Sequence, residues 1–310
     1  MLGIVILNYK NYNETLRCID NIFFVKIDEA FIIYVVDNAS PNESYSVLSK
    51  TYHNKINIKV IQSGKNGGFS FGNNVGFRAA IEDGCDKILC TNSDVEFKED
   101  SIYVLCKDMD EHTECAVIGP KVLCHDGSIQ NATRRILTPR RFLMRHKPFS
   151  FFDWLGIEKK YSYGDYKYDK PTYIEGMVSG CCFMLRASAI VRIGYLDENV
   201  FLYHEENILA AKLCKAGYKV MLNPKAEIIH FGGKSTGGNT AFIRYNSFYS
   251  ALYYFWFYSE TSRASFNLIW AYIKCVFLFK SLFDGEYKTY YKKLKSEIKK
   301  MKKCRRDSRC

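Results

Sequence analysis

No two cysteines in this chain form a C-x-x-C pair, although it contains twelve of them. No Cys or His pair has the usual zinc spacing, so a structural zinc site is disfavoured. The thiols are scattered, and several, such as Cys18, Cys90, Cys106 and Cys214, sit in apolar runs. They read as reduced core residues of a cytosolic protein, Cys181-Cys182 included. A basic n-region followed by a longer apolar h-region is missing, which argues against a signal peptide. G-x-G-x-x-G does not follow the first strand-like run, which argues against a dinucleotide-binding dehydrogenase. Gly233-Lys234-Ser235 matches only the end of a P-loop, because Ile228 stands where the first glycine is required. Internal repeats are absent. So is a general excess of charge. Of the net +11, residues 284–310 carry +7, as eleven Lys/Arg against four Asp/Glu. The bulk of the chain is therefore not a general polyanion binder, and no nucleic-acid partner is expected.

What is present fits a soluble globular protein. The 310 residues are 47% apolar, and mean hydropathy is −0.20. Strand-like and helix-like patterns alternate over residues 1–125. Strands are expected at 2–7, 31–36, 56–62 and 87–91, with a fifth at 117–120. Helices are expected at 13–24 (capped by Asn13), 43–52, 73–83 (stopped by Gly84) and 101–110. Such alternation predicts an α/β fold with a parallel sheet and ligands at the carboxyl ends of its strands. Residues 127–173 read as a long, partly mobile insertion with basic clusters at Arg134-Arg135 and Arg140-Arg141. A strand at 177–185, helices at 187–193 and 207–216, and a strand ending at His230 follow.

Polar groups gather at the strand ends. Asn8-Tyr9 follow the first strand, Asp37-Asn38 the second, Asn66-Gly67-Gly68 the third, and Asn92-Ser93-Asp94 the fourth. If the fourth strand continues, Asn92 and Asp94 project to one side. A carboxylate with a neighbouring oxygen donor suits a hard divalent cation. The glycines and amides of 66–76 can bring backbone close to a ligand as the chain enters a helix. Glu205 and Glu206 precede a helix whose dipole favours their ionised forms. Each motif alone has an ordinary reading as a turn, cap or surface residue. Their convergence on one sheet edge is what points to a site.

In this order, over residues 1–249, the motifs resemble the family 2 glycosyltransferases, and among them the rhamnosyltransferase-like members of surface-polysaccharide pathways. The resemblance rests on 36–40, 66–76, Asn92-Ser93-Asp94, Ser179-Gly180 leading to Leu185-Arg186, 197–203, Glu205-Glu206, and His230 with Ser235. It implies a GT-A fold: a mixed, mainly parallel sheet flanked by helices, with a C-terminal helical extension. Residues 1–125 would form the nucleotide-sugar half and 126–250 the acceptor and catalytic half. Asn8, Tyr9, Asp37, Asn66, Gly67, Gly68, Asn73, Asn92, Ser93 and Asp94 would line the donor pocket. Asp94 and His230 would hold Mn²⁺ or Mg²⁺, Ser179 and Gly180 would meet the acceptor, and Glu206 or Glu205 would be the base. The chain departs from the family at Asn92, the first position of D-x-D, and at Glu206, where the family usually has Asp. The implied reaction is inverting transfer from a dTDP- or UDP-sugar, possible sugars being rhamnose, galactofuranose or another hexose, to a glycan or lipid-linked glycan. The rival reading is a catalytically silent nucleotide-sugar-binding subunit.

Residues 251–310 read as an amphipathic helical and basic tail. The apolar stretch 266–283 contains Lys274 and Lys280, which make a full membrane span costly. The preferred expectation is a helix lying on the inner face of the cell membrane, extended by lysines. The rival is a helix packed on the core.

Overall fold

The computed structural model describes residues 1–130, 133–151, 162–163, 166–232 and 240–306. The first half runs β1 (Leu2–Asn8), α1 (Tyr12–Phe24), β2 (Phe31–Asp37), α2 (Ser44–Tyr52), β3 (Ile58–Gln62), α3 (Gly68–Glu82) and β4 (Lys87–Asn92). It continues with β5 (Val95–Phe97), α4 (Ser101–Glu111) and β6 (Cys115–Leu123). The second half contains β7 (Arg134–Arg135), α5 (Pro139–Met144), β8 (Thr172–Tyr173), β9 (Gly176–Met177), β10 (Cys182–Arg186), α6 (Ala187–Arg192), α7 (Glu205–Lys215) and β11 (Lys219–His230). Three helices follow: α8 (Ala241–Phe257), α9 (Arg263–Lys280) and α10 (Gly285–Arg306).

The main sheet has the order β3-β2-β1-β4-β10-β6-β11-β5, with β8 beside β11. The pairs β1–β2, β2–β3 and β1–β4 are parallel, whereas β10 lies antiparallel between β4 and β6. Central strands such as Leu-Gly-Ile-Val-Ile-Leu-Asn are buried on both faces, as expected where helices cover both sides. One core holds Ile4, Ile6, Ile33, Leu89 and Ile118, and the opposite one holds Val5, Tyr34, Phe77, Phe183 and Leu209. The register sets Asn8 beside Asp37, so the polar strand ends fall on one edge.

Several boundaries differ from expectation. Helix α3 starts at Gly68, not 73. Gly68 has φ +88°, and a Cβ there would overlap Phe201 O and stand 2.7 Å from Phe201 C. Glycine therefore lets the first turn press against the 201 backbone. Helix α7 starts at Glu205, not 207, because Tyr203 and His204 (φ 69° and 63°) form a left-handed corner before it. The strand expected at 177–185 is two strands, since Ser179-Gly180 lie between β9 and β10. The N-cap of α1 is Asn11 rather than Asn13, with no side-chain cap bond. Cys214 is exposed, on the solvent side of α7, and Cys304 is disulfide-bonded, so not every thiol is a reduced core residue.

A third core joins α8, α9 and α10 through Phe248, Phe255, Ile269, Ile273, Phe277 and Leu294, and it includes Val200 and Ile208 of the body. One stripe of α9 (Phe266, Ile269, Ile273 and Phe277) is thus buried. The expectation of a helix free to lie wholly on a membrane is corrected to that extent. Tyr287, Leu294, Ile298 and Met301 of α10 are buried too. Among the described residues, no helix is long and apolar enough to cross a membrane.

Candidate active site

Asn8 and Asp37 end adjacent strands and are fully buried. Asn8 Nδ2 donates to Asp37 Oδ1 (2.7 Å), and Thr15 Oγ1 donates to Asn8 Oδ1 (2.8 Å). The Ser40 backbone N–H donates to Asp37 Oδ2 (2.9 Å). Asn8 therefore holds Asp37 in place. Tyr9 is half-buried beside it, under the Lys10 ammonium at 5.0 Å.

The next strand end is knitted by amides. Asn38 Nδ2 donates to Asn66 Oδ1 and to Gly68 O, both at 3.1 Å, and Asn66 Oδ1 also accepts from the Gly68 N–H (3.1 Å). Asn73 is fully buried and donates to Phe69 O, and Cys90 Sγ lies 3.3 Å from its Oδ1. The amides of Asn66 and Asn73 thus shape the loop and the first turn of α3. Gly67 packs so closely on Phe71 that a Cβ there would overlap the ring.

Strand β4 does not continue past Asn92. Ser93 and Asp94 form a turn into β5, so Asn92 and Asp94 are not the strand neighbours expected. The turn instead brings Asp94 to the end of β11, where the Phe231 N–H donates to Asp94 O (3.0 Å). Asp94 Oδ1 lies 3.4 Å from His230 Nε2, with side-chain exposures of 10% and 15%. His230 Nδ1 lies 3.0 Å from Gln130 Oε1. The Gln130 contact engages Nδ1, so Nε2 is the ring nitrogen that faces the Asp94 carboxylate. One imidazole nitrogen and one carboxylate oxygen, both largely withdrawn from water, suit Mn²⁺ or a similar divalent ion. Ser235, Lys234 and the half P-loop lie outside the described residues.

Ser179-Gly180-Cys181 runs between Asn92 and Glu206. The Asn92 N–H donates to Cys181 O (2.8 Å). Ser179 Oγ lies 3.1 Å from Cys181 Sγ. Burial pushes the Cys181 thiol up to about 12, and the charges of both Asp94 and Glu206 add to the shift. Gly180 faces Glu206: a Cβ there would overlap Oε1 and stand 3.0 Å from Cδ and 3.1 Å from Cγ.

Both glutamates lie in the first turn of α7. Glu205 is buried, and its Oε2 has no hydrogen-bond partner. Desolvation, then the charge of Glu206, raises its carboxyl well above the ordinary range. Glu206 is half-buried. Desolvation raises its carboxyl too, opposed by backbone N–H groups and by the Arg134 guanidinium. His204, at the left-handed corner, is held neutral by burial, down to about 3. Gln130, Arg134 and Cys181 are not among the site residues expected from sequence. The Arg134-Arg135 doublet signalled one of them, but nothing local tied it to Glu206.

Asp108, Glu111 and His112 can bring ligand atoms within 4.8 Å of one another. They lie at the far end of α4, beside the start of β6, and so are not the D-x-D position. A cavity of about 1090 Å³ flanks α7, lined in part by Leu137, Met177, Lys212, Tyr254 and Tyr258. None of Asp37, Asp94, Glu206 and His230 lines it.

The model of the family described as Glycosyl transferase family 2 matches residues 3–194. The chain is 29% identical over 206 residues to the low-salt glycan biosynthesis hexosyltransferase Agl10 of Haloferax volcanii, covering 66% of this chain and 59% of that protein. It is 29% identical over 156 residues to the N-acetylglucosaminyl-diphospho-decaprenol L-rhamnosyltransferase of Mycobacterium tuberculosis, covering 50% of each. The chain therefore spans only part of the length of these curated relatives. Among solved structures, GalNAc-T7 with UDP, GalNAc and Mn²⁺ superposes with a TM-score of 0.57 at 13% identity, over 77% of this chain and 45% of that one. The Pyrobaculum calidifontis mannosyltransferase PcManGT with GDP-Man and Mn²⁺ gives 0.55 at 14% identity, over 88% and 69%.

Proposed function

The chain belongs to glycosyl transferase family 2, and from that premise we propose that it moves a sugar from a nucleoside-diphosphate donor to a hydroxyl of a glycan or lipid-linked glycan, with inversion. The carrying observation is that the Ser179-Gly180-Cys181 segment packs on Glu206 at Gly180 and accepts the Asn92 N–H at Cys181 O, two residues before Asp94, whose charge the Cys181 thiol also feels. In this proposal the leaving-group site and the base lie on either side of that segment.

Asp37, held by Asn8 and Ser40, offers acceptor oxygens to the donor's base or ribose. The first turn of α3 brings backbone close to the donor sugar and diphosphate. Asp94 Oδ1 and His230 Nε2 would hold a divalent cation, which when bound neutralises the departing diphosphate. Glu206 takes the acceptor hydroxyl's proton as the oxygen attacks the anomeric carbon. The nucleoside diphosphate leaves from the opposite face. A base whose affinity for protons has been raised by desolvation is better matched to a hydroxyl near neutral pH. Glu205, held toward its protonated form, adds no second negative charge beside it. No covalent intermediate is needed.

The donor is a dTDP- or UDP-sugar in this reading. Rhamnose is supported by the name of the mycobacterial relative and another hexose by that of the archaeal one. A place at the inner face of the cell membrane belongs to the same proposal. The test is product stereochemistry by proton NMR with Glu206→Gln as the control. We expect a product of inverted anomeric configuration, and a loss of about two to four orders of magnitude in the variant. Retention of configuration, or full activity in the variant, contradicts the mechanism.

A further inference from the structure

Helix α9 carries two apolar stripes, and only one is covered. Phe266, Ile269, Ile273 and Phe277 face α8 and α10. On the other side, Leu268, Ala271, Cys275 and Leu278 follow one another at steps of three and four residues, and all are exposed, as is Leu282 in the turn beyond the helix. At the α9–α10 corner the exposure is large: Phe279 is 64% accessible, Leu282 77% and Phe283 78%. The Phe279 and Phe283 rings pack on each other at 5.4 Å, so the corner is a formed apolar knob. A cluster of this kind marks a surface meant to be covered.

Charge selects what covers it. Lys280 sits at the corner over the Tyr287 ring (5.1 Å). Lys288, Lys292, Lys293 and Lys295 are exposed along α10. The helices run back to back, as Phe277–Tyr287 and Phe277–Tyr291 ring contacts near the corner and the Lys302–Asn267 bond at the far end require. Lys293 reaches over the Tyr245 ring of α8 (4.9 Å), and Lys288, Lys292 and Lys295 are exposed on the helix that runs antiparallel to the apolar stripe. Two copies meeting through this face would bring two such cationic helices together, whereas an anionic bilayer neutralises them.

We infer that the α9–α10 hairpin is a docking surface for an anionic lipid bilayer, with Leu278, Phe279, Leu282 and Phe283 entering the interface and the α10 lysines facing the headgroups. This deepens the membrane placement proposed above. It assigns the contact to a corner and one stripe, with the other stripe of α9 kept in the core. The apolar part is insensitive to salt, and the lysine part is screened within about 8 Å at physiological ionic strength.

The test is co-sedimentation of the full chain with phosphatidylcholine vesicles and with phosphatidylcholine–phosphatidylglycerol vesicles. Wild type should bind the anionic vesicles at low salt, and high salt should remove part of that binding. Leu278→Asn/Leu282→Asn/Phe283→Asn, all at exposed positions, should lower the partition coefficient at least tenfold. The variant's melting temperature should stay unchanged, which reports that the hairpin still folds. Lys288→Glu/Lys292→Glu should abolish the preference for anionic over neutral vesicles. Wild type that ignores anionic vesicles at low salt, or a folded triple variant that binds them as wild type does, overturns the assignment. So does a wild-type dimer that the triple variant loses, without vesicle binding, which would make a second copy the occupant. These readouts need no donor, so they fail or succeed independently of the transfer reaction.

Discussion

Replacing Gly180 with alanine should damage catalysis through Glu206. The added Cβ would overlap Glu206 Oε1 and crowd Cδ at 3.0 Å, where ordinary contacts begin at 3.4 Å. The carboxylate must withdraw by about 1 Å, and a misplacement of that size costs about 10²-fold in rate. Folding should be little affected, because Gly180 is part-exposed between β9 and β10 and has no positive φ to lose. Glu206→Asp shortens the side chain by one carbon–carbon bond, about 1.5 Å, and draws the carboxylate oxygen back from the closest overlap, at Oε1. It should lower kcat by itself. In that background Gly180→Ala should cost less than about threefold, because the two changes act on one contact. The assay is kcat and KM for nucleoside-diphosphate release across the four proteins. The kcat should fall in Gly180→Ala while the donor KM stays within a few-fold. Equal losses from Gly180→Ala in both backgrounds, or none in wild type, would refute the steric link.

Asp94→Asn should lose activity and also the part of donor-nucleotide affinity that Mn²⁺ supplies, with far-ultraviolet circular dichroism unchanged. Full wild-type activity in a chelator would remove the metal from the account. Arg134→Gln should move the acidic limb of kcat/KM to higher pH, because the guanidinium opposes the rise of the Glu206 carboxyl. A limb that stays put would separate the two residues. Glu205 has its proton affinity raised in the folded state. Its contribution to stability is therefore full below the ordinary carboxylate range and lost as pH rises through its raised value. Glu205→Gln should accordingly raise the melting temperature at pH 8 and leave it nearly unchanged at pH 4. The reverse pattern would mean that Glu205 is ionised and stabilising.

The alternating half of the fold was legible because its strands are short runs of Ile, Val and Leu closed by polar residues. What was misplaced shares one cause: contacts between residues distant in sequence. The start of α3 is set by Gly68 against Phe201, and the start of α7 by a left-handed corner that a propensity reading does not foresee in Tyr203-His204. Asp94 reads as a site residue from its place at a strand end, but its reorientation toward His230 comes from the β5–β11 pairing. Gln130 and Arg134 enter through β6–β11 and β7–β9, which no local pattern announces. The apolar stretch in α9 was visible from composition. Two stripes rather than one emerge only when α8 and α10 cover half of it.

Binding of nucleotides to the Asp37–Asp94–His230 site is the central claim, and thermal shift with UDP, dTDP, GDP and CMP tests it most directly, with and without Mn²⁺, on wild type and Asp94→Asn. One nucleoside diphosphate, UDP or dTDP, should stabilise wild type by several degrees, Mn²⁺ should enlarge the shift, and Asp94→Asn should lose the enlargement. No shift with any of the four in the presence of Mn²⁺, or an equal Mn²⁺ effect in the variant, would contradict it.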